Sequence, residues 1–107
     1  MKGFGGGMQN LMKQANQMQN KMKKAQEEFV EKTFTGSAGG GAVEVTVTGE
    51  YFVTAMNVKP EVMEGGETEM AVEMIQLATN DAIKKAKEEY KKAMEAVTGG
   101  AALPGMF

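Results

Sequence analysis

The 107-residue chain predicts an α+β fold: a long N-terminal helix, a small antiparallel sheet of about three strands, and a long C-terminal helix. Three observations carry that prediction. Apolar residues recur at alternating spacings of three and four from Met8 to Phe29. The run "AVEVTVT" alternates apolar and polar side chains, the period of a strand with one buried face. Helical spacing then returns from Ala71 to Val97.

The first helix is predicted from about Met8 to Glu31. Its seam is Met8, Leu11, Ala15, Met18, Met22, Ala25 and Phe29, a sustained heptad built of Met and Ala more than Leu and Ile. Such a helix would be about 36 Å long at about 1.5 Å per residue, more than a domain of this size needs to cover its own core.

The chain becomes β-prone between Lys32 and Thr35, and "TGSAGGG", Thr35 to Gly41, reads as a flexible turn or loop. Val43, Val45 and Val47 then face one way and Glu44, Thr46 and Thr48 the other. Gly49-Glu50 allows a hairpin turn, and Tyr51 to Val58 reads as a further strand stopped by Pro60. Such a sheet needs cover from a helix or a partner.

"PEVMEGGETE" connects to the last helix, for which Thr68 is the expected cap. Glu67, Glu69 and Glu73 suit its positive end. Its apolar face is Ala71, Ile75, Ala78, Ala82, Ala86, Tyr90, Ala93 and Val97, and it should stop before Gly99-Gly100. Residues 1–7 are expected to be flexible, 8–98 to form one domain, and 99–107 to be a flexible tail.

Leu, Ile, Val and Phe number only 19 of 107 residues, and 11 Met make up part of the deficit. A small chain with so few branched apolar residues gains by burying surface against a second copy, so a homodimer is expected. "MKGFGGGM" does not read as a signal peptide, and no run is long and apolar enough to span a membrane. The expected compartment is the cytoplasm.

With no His and no Cys, the commonest general base and the strongest nucleophile are missing, and catalysis is not expected. The adjacent pairs Glu27-Glu28 and Glu88-Glu89 point in different directions on a helix and make a poor acid–base couple. The acids show no calcium-loop spacing. "GSAGGGA" lacks the Gly-Lys-Ser/Thr of a phosphate loop and precedes a strand. No metal, cofactor or small-molecule substrate is expected.

Net charge is −2, but it is segregated. Residues 1–26 hold five Lys and no acid; residues 27–83 hold eleven acids against two Lys; residues 84–107 hold five Lys and three Glu. On the first helix Lys13, Lys21, Lys23 and Lys24 lie among Gln and Asn side chains, the donors that phosphate oxygens accept from. The chain has no Arg, hence no bidentate fork for guanine, so contact would be directed at the backbone and weakly sequence-specific.

Lys84, Lys85, Lys87, Lys91 and Lys92 add charge to the last helix, where pairs such as Lys84–Glu88 and Lys91–Glu95 could equally decorate a solvated face. Other readings stand beside the nucleic-acid one. The acidic run Glu61–Glu73 could neutralise the first helix of its own or a partner chain, the Met seam could be a coiled-coil module that holds another protein, and a membrane surface or single-stranded RNA could be the partner.

"NLMKQANQMQNKMKKAQEE", "TGSAGGGAVEVTVTGEYFVTAMNVKPEV" and "LATNDAIKKAKEEYKKAMEAVTGG" in this order resemble the YbaB/EbfC family of nucleoid-associated proteins, from about residue 7 to residue 100. The resemblance implies a tweezer-like α-β-α homodimer that binds duplex DNA and alters its conformation. It also implies roles in nucleoid organisation, gene regulation and DNA protection, and no catalysis. By position it places DNA contacts on the first and last helices: Lys13, Lys21, Lys23, Lys24, Lys84, Lys85, Lys87, Lys91 and Lys92.

Overall fold

The structure, a computed structural model, describes the backbone of residues 2–99 and the side chains of residues 7–99. The order is α1 (Lys2–Val30), β1 (Thr33–Ala38), β2 (Val43–Thr48), β3 (Val53–Val58), α2 (Pro60–Glu64) and α3 (Thr68–Thr98). α1 thus begins six residues before the Met8 expected from its seam. The tail expected after residue 99 lies outside the described residues.

The strands form one antiparallel sheet in the order β1-β2-β3. α3 lies across β1 and β2. Val43, Val45 and Val47, all fully buried, meet an alanine stripe on α3, Ala78, Ala82 and Ala86. Alanine leaves room for the helix axis to approach the sheet, and Gly36 of β1 completes the approach. A Cβ at Gly36 would collide with the α3 backbone at Ala78 and Ala82. This explains a departure from the sequence reading: "TGSA" is strand, not loop, because the glycine serves as a close-packing position within β1. The loop shrinks to Gly39–Ala42, and Gly39, Gly40 and Gly41 all have positive φ.

The second hairpin also differs. β3 starts at Val53 rather than Tyr51. Thr48 organises the turn: its Oγ1 accepts from the amides of Glu50 at 3.2 Å and Phe52 at 3.3 Å, while Tyr51 takes φ 68°. Val47 pairs with Val53 but Thr46 with Ala55, so Thr54 is an extra residue in β3. The connection to α3 contains the short helix α2, begun by Pro60 and absent from the sequence reading. α3 is preceded by Glu67, not capped by the Thr68 side chain; Thr68 is its first residue. The helix closes at Gly99, in the left-handed conformation, whose amide bonds to the Glu95 carbonyl.

α1 docks on the C-terminal part of α3 through its last two turns. Phe29 is 3% exposed and sits between Phe34 and Tyr90, with both centroid distances 5.2 Å. Met22 of α1 and Met94 of α3 are also buried. Beyond Met22 every described side chain of the helix but the half-buried Met18 is exposed, and the molecule is 78 Å long and 21 Å wide.

Candidate nucleic-acid interface

The free part of α1 carries two stripes. Met8, Leu11, Met12 and Ala15 line one face, all exposed. On the opposite face stand Lys13, Gln17, Asn20 and Lys24, at spacings of 4, 3 and 4, with Lys21 and Lys23 on the flanks. All four lysines are exposed. Among the described residues none has a carboxylate within ion-pair distance, and the i, i+4 partners Glu27 and Glu28 are not engaged. Gln26 is different: its Nε2 donates to the Tyr90 hydroxyl at 3.1 Å, so it braces the joint.

On α3 the five lysines divide into two sets. Lys85 is occupied in the fold. Its Nζ lies 3.3 Å from Asp81 and donates to the Thr35 carbonyl at 3.1 Å. Lys92 lies 3.6 Å from Glu89. These are i, i−4 and i, i−3 pairs; the Lys84–Glu88 and Lys91–Glu95 pairs that the sequence suggested are not formed among the described residues. Lys84, Lys87 and Lys91, at spacings of 3 and 4, line a shallow groove on the outer face of α3 with Asn80 and Glu88.

Tyr51 was not legible as a neighbour of this stripe. The left-handed turn brings its ring beneath Lys87, with Nζ 5.9 Å from the centroid. The ring's negative face holds the ammonium without neutralising it. Only the turn geometry could have revealed this, because Tyr51 and Lys87 are distant in sequence.

Asp81 has its carboxyl held below the usual carboxylate range. The main cause is the hydrogen bond from the Ser37 amide, with the Lys85 ammonium second. The group joins α3 to β1.

The acidic segment Glu61–Glu73 does not reach the α1 lysines. It occupies α2 and the first turns of α3, whereas α1 packs at the other end of α3, by Tyr90. Charge segregated along the sequence is therefore also segregated in space.

Among the described residues no cluster of acids could hold a metal ion, and no helix is long and apolar enough to cross a membrane.

A model of the YbaB/EbfC DNA-binding family matches residues 4–101. A nucleoid-associated protein of Clostridium novyi is 47% identical over 107 residues, covering 98% of this chain and 94% of the relative. One from Ruminiclostridium cellulolyticum is 45% identical over 106 residues, covering 98% of this chain and 92% of the relative. The fold is also similar to a crystal structure of an uncharacterized Helicobacter pylori protein, with TM-score 0.69 and 21% identity, covering 83% of this chain and 94% of that one.

Proposed function

We propose, from the premise that this chain belongs to the YbaB/EbfC DNA-binding family and is a nucleoid-associated DNA-binding protein, that it grips the duplex by its phosphate backbone. The observation that carries the reading is the set of exposed lysines that, among the described residues, have no carboxylate at ion-pair distance: Lys13, Lys21, Lys23 and Lys24 on α1, and Lys84, Lys87 and Lys91 on α3. Their ammonium groups are point charges and exchange condensed counterions for protein contacts. Lys85 and Lys92, already paired, contribute less. The acidic end of the molecule repels the duplex and thereby orients the protein on it.

The working unit is a homodimer. Val53 and Met56 pair across from buried Val47 and Val45, which places them on the sheet's apolar face. Yet each is 48% exposed, because α3 covers β1 and β2 and leaves β3 bare. A second copy closing over this half-face would bury it, pair the open edge strand and give two projecting arms. Arms at a fixed separation impose a shape on the DNA they hold, which supports roles in nucleoid organisation, gene regulation and DNA protection in the cytoplasm.

Titration of a labelled duplex across a salt series tests the reading, with sedimentation of the free protein run beside it. Log affinity should fall linearly with log salt, by about 0.9 per phosphate neutralised. Affinity insensitive to salt would refute it.

A further inference from the structure

We infer that the arm of one molecule docks on the acidic end of another, so that the protein self-associates head to tail through an apolar stripe and an apolar groove that the duplex reading leaves unused. The arm presents Met8, Leu11, Met12 and Ala15 at i, i+3, i+4 and i+7, the anchor spacing of a helix that lies in an apolar groove. Met8, Leu11 and Met12 are 63, 67 and 64% exposed. At the far end of the molecule a groove between α2 and α3 is floored by Val62, Met70, Ala71 and Met74 and rimmed by Glu61 and Glu67.

Charge complementarity identifies the occupant as a second copy. Residues 1–26 carry five Lys and no acid, and residues 61–73 carry five Glu and no base. The two cannot meet within one chain, because α3, about 46 Å long at about 1.5 Å per residue, separates them. Two arms would repel one another, and a neutral partner would leave both charges unused. The contact is heterologous: arm to groove, with each copy offering one of each, so it builds rings or open chains according to the rotation between copies. Attraction is carried by the field of the arm, which decays within about 10 Å at 0.1 M salt. Duplex DNA on the lysines neutralises that field and so competes with docking. This last limb rests on the duplex-binding reading; self-association does not.

Sedimentation of the full chain without DNA tests the inference. At low salt the average mass should rise with concentration beyond that of the free unit, and should fall back when salt is raised. The double variant Glu61→Lys/Glu67→Lys should remove the rise, and Met70→Ser should weaken it several-fold, while both still bind duplex. Leu11→Ser/Met12→Ser should remove it from the other side, with helicity by circular dichroism confirming the fold. A mass independent of concentration at low salt overturns the inference. So does assembly that survives in the Glu61→Lys/Glu67→Lys protein. Because duplex binding is measured separately, its failure would not be mistaken for failure of docking.

Discussion

Phe29 stands edge-on to Tyr90, with ring centroids 5.2 Å apart and planes inclined at 71°, and this pair joins the arm to the body of the molecule. Phe34 of β1 closes the other side of Phe29. Gly49 is placed so that any Cβ would strike the Phe29 backbone, so the hairpin turn packs directly against the end of α1. The arm's direction is therefore set by three elements at one residue.

Phe29→Ala should cost about 3–5 kcal/mol, the usual range for removing a buried aromatic. Tyr90→Phe keeps the edge contact, loses only the partly exposed bond from Gln26, and should cost under about 1 kcal/mol. Urea denaturation measures both. Hydrogen exchange along α1 should accelerate in Phe29→Ala far more than in Tyr90→Phe.

Gly36→Ala should be among the most damaging small substitutions in the sheet. The added methyl meets α3 backbone, which cannot rotate away, and overpacking of this kind costs about 1–3 kcal/mol or more. Gly40→Ala is the control. It has open space around it and a positive φ, so its cost is conformational, about 1–2 kcal/mol. Thermal unfolding should rank Gly36→Ala below Gly40→Ala.

Asp81 predicts an acid-sensitive joint between α3 and β1. Its folded pKa is depressed below the ordinary 3.8, so its contribution is present above that value and is lost as pH falls through the lower folded pKa. Asp81→Asn should therefore be less stable near neutrality. Its stability should also fall less steeply on acidification below about pH 4. Parallel acid curves for the two proteins would show that Asp81 does not stabilise the fold through this contact.

The fold was legible where one physical period dominated. The Met8–Phe29 seam and the Val43–Val47 alternation specified α1 and β2 because each has a single apolar face. β1 was partly hidden, since Gly36 and Ser37 lack the bulk of a strand; their place depends on how closely α3 approaches, a tertiary fact. α2 is too short to show a period. The lysines of the proposed site could be named from sequence, but which of them lack an ion-pair partner could not. Lys85 differs from Lys84 only because β1 brings the Thr35 carbonyl and the Ser37 amide to that flank of α3.

The bare half-face at β3 predicts a self-association that one charge would break. Met56→Asp places a carboxylate on the apolar face beside Val45 and should shift the free protein from dimer toward monomer in sedimentation at moderate salt. Glu44→Gln, on the exposed opposite face of β2, should not. If Met56→Asp remains dimeric, the interface lies elsewhere.

The most direct test is the slope of log affinity against log salt for a defined duplex, compared among three proteins. Lys13→Ala/Lys24→Ala should bind more weakly than the wild type and lower the slope by about 0.9 for each phosphate contact removed. Lys85→Ala/Lys92→Ala, which removes two paired ammonium groups, should leave the slope nearly unchanged. Equal slopes for Lys13→Ala/Lys24→Ala and the wild type would contradict the account, because the free lysines of the arm would then not be what holds the DNA.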